Sequence, residues 1–285
     1  MLPAGQGNAL CRPLCRLDSG YVLCPRYARD VMKLAILAAL FGLTACLYAS
    51  VGFGGGSTYT ALLVAGGIDY ALIPIIALSC NIAVVAGNTL RYSRAGLVPW
   101  KKLWPILALS VPAAWLGGRL NISETLFIGL LSAALLFAGI QLLRTAGREE
   151  ADSIKDTSPL LSGFIGGAIG FYSGLVGIGG GIFLAPILYA LLWGRAKTIA
   201  AACSVYILFN SIAGFAGQAM KLADAEKFAE ATAFWPLIPA VIIGGFIGNH
   251  VGVKYISQLW IQRLTGALIL IVAMRLGAEW MGQVI

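Results

Sequence analysis

Val51-Gly52-Phe53-Gly54-Gly55-Gly56-Ser57-Thr58 recurs 125 residues on as Val176-Gly177-Ile178-Gly179-Gly180-Gly181-Ile182. Each cluster ends an apolar run and opens a shorter piece, 57–68 in one case and 182–193 in the other. At 1.5 Å per residue, a helix of that length covers roughly 18 Å, too little to cross ~30 Å of hydrocarbon alone. Consecutive glycines permit positive φ and leave backbone N–H groups uncovered. A helix that starts there points its N-terminal partial positive charge into the gap. Two such starts facing each other would hold an anion without a full lysine or arginine charge.

Matches on either side of the clusters extend the repeat. Ser79 recurs as Ser204 at the same offset, while Trp104-Pro105 recurs as Trp235-Pro236 and Arg144 as Arg275, both 131 residues on. The offset grows by six in the polar stretch near 221–233, where an insertion is harmless. Matches in one order with a single insertion predict a duplication. Apolar stretches at 34–51, 71–90, 103–118, 125–143, 159–176, 198–219, 234–250 and 259–277 can each span a bilayer, some marginally. The expected fold is an all-α polytopic membrane protein of two homologous repeats. It has about eight full transmembrane helices plus two short half-helices after the Gly-rich turns. Residues 1–33 form a basic, cysteine-containing tail, 34–144 the first repeat, 145–158 a polar linker and 159–285 the second repeat.

Composition points the same way. Of the 285 residues 59% are hydrophobic and 11% charged, against about a quarter charged in soluble domains. Mean hydropathy is +0.85. Disorder, collagen and an ordinary soluble domain are excluded, and the net charge of +8 is spread too thinly to track phosphates, so no nucleic-acid partner is expected. The twelve acidic residues all lie between apolar runs or at their edges, which disfavours coupling through a mid-membrane carboxylate. In the tail, Cys11, Cys15 and Cys24 have a spacing that matches no zinc or disulfide framework and no histidine lies near. Met32-Lys33 before the first apolar run has the form of a bacterial start, so 1–31 reads as a floppy basic tail or an over-extended reading frame.

Orientation is left open. Parallel halves divide the basic residues 15 to 4 and inverted halves 10 to 9, so the count favours parallel repeats. Short segments at matching positions favour the inverted repeats of broken-helix transporters instead.

The candidate site follows from the triplets. Gly54, Gly55, Gly56 and Ser57, with Gly179, Gly180 and Gly181, are expected to supply backbone N–H donors. Ser79, Asn81, Ser204 and Asn210, on the more polar second span of each half, are expected to add side-chain hydrogen bonds. Hydroxyls and amides in lipid also serve as glue between helices, and Gly117-Gly118, Gly166-Gly167 and Gly244-Gly245 read as close-packing positions. Cys80 and Cys203 beside the serines read as small fillers. Arg91 or Arg119 would attract an anion at a vestibule, and His250, the only histidine, is a candidate coupling group. No hydrolytic triad, nucleotide loop, haem or metal spacing is present, so neither enzyme activity nor a cofactor or metal is expected.

G-F-G-G-G-S in the first half and G-I-G-G-G-I-F-L-A-P-I-L in the second are followed some twenty residues later by A-L-S-C and A-A-C-S. Together with R-Y-S-R-A-G-L-V-P-W and its W-P span, these closely resemble the sulfite exporter TauE/SafE-like permeases, of the 4-toluene sulfonate uptake permease type. The resemblance covers about residues 34–280. Its most specific part is the triplet with Pro186 five residues on; the first half has Ala61 at that place. The resemblance implies a multi-pass carrier of the prokaryotic inner membrane that moves sulfite, sulfonates such as sulfoacetate, or similar anions.

The expectation is a secondary transporter of a small anion, a sulfur oxyanion or organosulfonate, working by alternating access between the two repeats. Its partners are that anion and the bilayer, with room for a co-transported ion and a homodimer. A channel-like pore and, further off, an integral-membrane enzyme or assembly factor are the alternatives.

Overall fold

The computed structural model describes residues 14–17, 20–23, 25–50, 52–145, 157–221, 230–251 and 258–284. A two-stranded antiparallel ribbon, β1 (Leu14–Leu17) and β2 (Gly20–Leu23), pairs Leu14 with Leu23 and Leu17 with Gly20. Helices follow: α1 (Pro25–Ser50), the short α2 (Gly56–Ala65), α3 (Ile73–Arg94), α4 (Trp100–Arg119) and α5 (Glu124–Thr145). After the linker come α6 (Pro159–Val176), the short α7 (Gly181–Ala190), α8 (Ala196–Lys221), α9 (Leu237–Val251) and α10 (Gln258–Val284).

Among the described residues five helical segments are long and apolar enough to cross a membrane: Val31–Ser50, Ile73–Arg94, Glu124–Gln141, Pro159–Val176 and Lys197–Lys221. This is fewer than the eight expected. The fourth helix carries Lys101, Lys102 and two internal prolines, Pro105 and Pro112, which lower its hydropathy and interrupt its hydrogen bonding. At 15 residues α9 is short for a span. Two further differences concern the tail. It contributes the small ribbon, whose strands lie two residues apart as in a tight hairpin. The first helix also begins at Pro25, nine residues before the apolar run, because Pro is favoured in a first helical turn and the polar residues 26–33 can continue a helix outside lipid. Cys11, Cys24, linker residues 146–156 and the loop residues 222–229 lie outside the described residues.

Helix directions follow from particular contacts. Asn81 of α3 meets Ser211 of α8, and Leu78 lies against Gly214, so α3 and α8 run antiparallel. Gly129, Gly139 and Leu143 of α5 meet Trp280, Leu270 and Gly266 of α10 in the same opposed order. By contrast, α4 and α6 are parallel, with Gly166, Gly170 and Gly174 seated on the backbone of Ile106, Ser110 and Ala114. Likewise α9 is parallel to α1, with Gly244 and Gly248 on the backbone of Gly42 and Cys46. A Cβ at Gly174, Gly244 or Gly248 would collide with a carbonyl oxygen of the neighbouring helix.

This is membrane-type packing, in which small residues let backbones approach because lipid tails are as apolar as leucine. Gly117, Gly118, Gly166 and Gly244 act as the close-packing positions expected of them. Large apolar side chains face outward, among them Phe164, Leu160, Ile243 and Phe246. The interior holds Asn81, Asn88, Ser204, Asn210 and Gln218, whose donors are all bonded, as unpaired polar groups in hydrocarbon are costly, while the amide oxygens of Asn81, Asn88 and Asn210 are buried without a partner. Gln218, for example, donates from Nε2 to the Gly174 carbonyl of α6 at 3.0 Å.

Candidate functional site

Each short helix starts from a left-handed glycine. Gly55 caps α2 at φ 94° and Gly180 caps α7 at φ 78°, and in neither case does a side chain cap the helix. A residue with a Cβ would be strained in that conformation. The chain enters the turns in matching fashion. Phe53 N–H bonds to the Tyr48 carbonyl at 2.9 Å at the end of α1, and Ile178 N–H bonds to the Ser173 carbonyl at 3.2 Å at the end of α6. After its turn, α2 folds back along α1. Its far end, with Leu62, Ala65 and Gly66, borders a cavity of about 630 Å³ shared with Lys33, Leu34 and Leu37. First-turn N–H groups of a helix generally lack an intrahelical acceptor, although in α7 Phe183 N–H already bonds to the Gly180 carbonyl at 3.1 Å; each turn points the positive end of a helix dipole inward.

The two turns meet inside the bundle. A Cβ on Gly56 would collide with the Ile178 carbonyl oxygen of the other turn, and one on Gly181 would stand 3.8 Å from the Phe53 ring. Between them lies the amide of Asn81 on α3. Its Nδ2 donates to the Ile178 carbonyl at 3.3 Å and to Ser211 Oγ at 3.1 Å, while its Oδ1 lies against Gly54. The Ser204 hydroxyl of α8 donates to the Gly52 carbonyl, and Asn88 Nδ2 donates to the Phe53 carbonyl at 3.1 Å. Side chains from α3 and α8 thus hold the turn carbonyls, while the N–H groups of Phe53 and Ile178 are taken by the ends of α1 and α6. Gly54–Ser57, Asn81, Ser204 and Gly179–Gly181 are all buried.

Hydroxyls gather around each cap. On the α2 side the Tyr48 and Thr58 hydroxyls are 3.0 Å apart. Tyr59, stacked on Phe41 with ring centroids 4.6 Å apart, brings its hydroxyl to 3.2 Å from where a Gly55 Cβ would stand. On the α7 side Ser173 Oγ lies 3.2 Å from the corresponding point at Gly180, with the Tyr206 ring 3.0 Å from it. Tyr206 donates its own hydroxyl to the Gly166 carbonyl at 2.9 Å. The hydroxyls of Tyr59 and Ser173 are buried without a partner.

Other candidate residues lie elsewhere. Ser79, half-buried, donates to the Ile75 carbonyl of its own helix at 2.8 Å and lines, with Cys80, Phe215 and Trp235, a cleft of about 180 Å³. Asn210 bonds to Ser110 on α4 at 3.1 Å and to its own Tyr206 carbonyl at 2.8 Å. Arg91 donates to the Asn249 carbonyl at 3.2 Å and lies over the Tyr92 ring. Exposed Arg119 lies over Trp115 at the end of α4. The fourth helix runs parallel to α8, as Ser110–Asn210 and Gly118–Gly214 show, and hence against α3, so the two arginines sit at opposite ends of the bundle. His250, also exposed, pairs with the Phe246 carbonyl one turn back at 2.9 Å. Cys46, Cys80 and Cys203 are free thiols. Among the described residues no three His, Cys, Asp or Glu side chains form a cluster able to hold a metal ion.

Ser211, Tyr59 and Ser173 were not among the residues expected from the sequence. Only the antiparallel register of α3 on α8 distinguishes Ser211 from its neighbour Asn210. Tyr59 carries a weak signal, as an aromatic hydroxyl one turn into a helix too short to span.

Comparison with known proteins brings in the rest. Residues 36–276 match the family described as "Sulfite exporter TauE/SafE". A "Probable membrane transporter protein y4hK" of Sinorhizobium fredii is 36% identical over 243 residues, covering 84% of this chain and 96% of that protein. A "Probable membrane transporter protein MamO" of Paramagnetospirillum magneticum is 27% identical over 260 residues, covering 77% of this chain and 40% of that protein. A protein of the same description in Magnetospirillum gryphiswaldense is 26% identical over a stretch of the same length. No solved structure matches.

Proposed function

Since the chain belongs to the sulfite exporter TauE/SafE family, multi-pass membrane transporters and not enzymes, we propose that it is a secondary transporter of a small anion, a sulfur oxyanion or organosulfonate, in the bacterial inner membrane. The observation that carries this reading is the meeting of the two glycine-capped helix starts at Gly56 and Ile178, with the Asn81 amide between them. Donors at that point are backbone N–H groups and partial dipole charges, strong enough to hold an anion and weak enough to release it. Arg91 at one end and Arg119 at the other draw the anion toward the site from either side.

The chain is a duplication, α1–α5 corresponding to α6–α10, and the halves are inverted. The pairing of α4 with α6 corresponds to that of α9 with α1, while α3·α8 and α5·α10 are self-corresponding and antiparallel. Rocking of one half against the other would expose the site alternately to the two sides. Inverted halves put the tail and the 145–158 linker on opposite sides of the membrane, whereas parallel halves put them on the same side. Impermeant labelling of single cysteines at Lys33 and Ser153 in intact cells and inverted vesicles decides between them.

The test of the site is uptake or efflux in proteoliposomes by Gly55→Val and Gly180→Val proteins, which should insert normally and lose transport. Wild-type rates in either would contradict the site. Accelerated counterflow in the wild-type protein would set a carrier apart from a channel-like pore, because a pore shows no exchange acceleration.

A further inference from the structure

The site described above is rich in donors, yet it also holds an acceptor without a partner. Asn81 is 1% exposed, and its Oδ1 has no hydrogen bond. The orientation of this amide is fixed by its surroundings. Its nitrogen faces the Ile178 carbonyl, which can only accept, so rotating the amide would set two carbonyl oxygens against each other. The oxygen therefore lies against Gly54, next to the start of α2. The unpartnered hydroxyls of Tyr59 and Ser173, beside Gly55 and Gly180, can both donate and accept. A site made for a bare oxyanion needs donors only. An inward-facing amide oxygen would be left unsatisfied by such a ligand and repelled by its charge.

We propose that Asn81 is a specificity-determining residue, its carbonyl oxygen accepting a hydrogen bond from the substrate, so that the transported anion is an oxyanion carrying its own donor, a protonated oxygen or a hydroxyl. This rests on the anion reading above and narrows it. The helix N–H groups take the ionised oxygens, and Asn81 takes the O–H. A site built to bond a substrate hydroxyl rejects the analogue lacking it, because its own polar group is then buried unpaired. Donor-free oxyanions of the same size are bound more weakly in this way.

Two ligand pairs at fixed pH test the proposal by thermal shift and calorimetry on the full chain in detergent. Isethionate and ethanesulfonate have the same charge and differ by one hydroxyl. Dihydrogen phosphate at pH 6 and perchlorate are tetrahedral anions of the same charge, and only the first carries protons. The wild-type protein should bind the first member of each pair about tenfold more tightly, the effect of one hydrogen bond. Asn81→Val should bring each pair level. Asn81→Ser, which keeps an acceptor and decides the matter if the valine protein does not fold, should retain part of the preference. Equal binding within both pairs by the wild-type protein would overturn the proposal, as would an undiminished preference in a folded Asn81→Val protein. Failure of every anion to bind would overturn the anion reading itself, whereas binding without preference would overturn only the role of Asn81.

Discussion

The two short helices have the same backbone and opposite chemistry. α2 reads GSTYTALLVA and α7 reads GIFLAPILYA, each ten residues long and each capped by a left-handed glycine. Ser57, Thr58, Tyr59 and Thr60 put four hydroxyls into the first half of α2, all buried. In α7 the same stretch is Ile182, Phe183, Leu184 and Ala185, and Pro186 removes one backbone N–H further along. The shared feature is the left-handed glycine cap, so in the proposed site the backbone donors come from both short helices. Side-chain hydroxyls are concentrated on the α2 side, where Tyr48 and Thr58 meet and Tyr59 is buried.

Space around the triplets gives the largest difference between the two turns. Gly56 faces a backbone carbonyl, Ile178 O, which cannot yield without moving the other turn, while Gly181 faces the flexible end of the Ile207 side chain. Gly56→Ala should reduce transport by more than about tenfold and lower Tm, overpacking here costing about 1–3 kcal/mol. Gly181→Ala should stay within about threefold of wild type. Equal losses in proteoliposome assays would mean that the turns are equally constrained.

A smaller effect is expected from the hydroxyls. Thr58→Val removes the Thr58 hydroxyl bonded to Tyr48 and should raise KM several-fold, in line with the ~0.6–2 kcal/mol of a hydrogen bond between membrane helices. Phe183→Leu, at the matching place in α7, should leave KM unchanged. A KM increase in the second variant alone would place discrimination on the wrong helix.

The smallest effect concerns the two ends of the bundle. Arg119→Gln should slow transport from its side about two-fold at low ionic strength and not at high, since exposed charge steers by a field that salt screens. Arg91→Gln should lower Tm as well, because Arg91 also holds the Asn249 carbonyl. A salt-independent loss in Arg119→Gln would remove the steering role.

The helices were largely legible in the sequence because membrane spans are set by local composition. The stretch expected at 159–176 is α6 to the residue, and both short helices start at the third glycine of their triplet. Partnerships were less legible, since they depend on contacts between residues far apart in sequence. Ser79 and Ser204 are separated by the same 125 residues as the glycine triplets, yet Ser204 reaches the Gly52 carbonyl before α2 whereas Ser79 bonds within its own helix. Asn210 was grouped with the site as a polar residue of the second span, and its Nδ2 ties α8 to Ser110 of α4. The basic-residue count favoured parallel halves, while the antiparallel register of α3 on α8 and of α5 on α10 supports inverted ones. With twenty basic residues in the chain, five of them in the tail, a few charges of weak topological weight tipped that count.

The central claim is that an anion binds where the starts of α2 and α7 meet. Anomalous diffraction from crystals soaked in selenite, a selenium analogue of sulfite, tests it most directly. A selenium peak is expected within hydrogen-bonding distance of the first-turn N–H groups of α2 or α7, beside Asn81. A peak only in the Ser79 cleft or at Arg91 or Arg119, with none between Gly54–Gly56 and Gly179–Gly181, would contradict it.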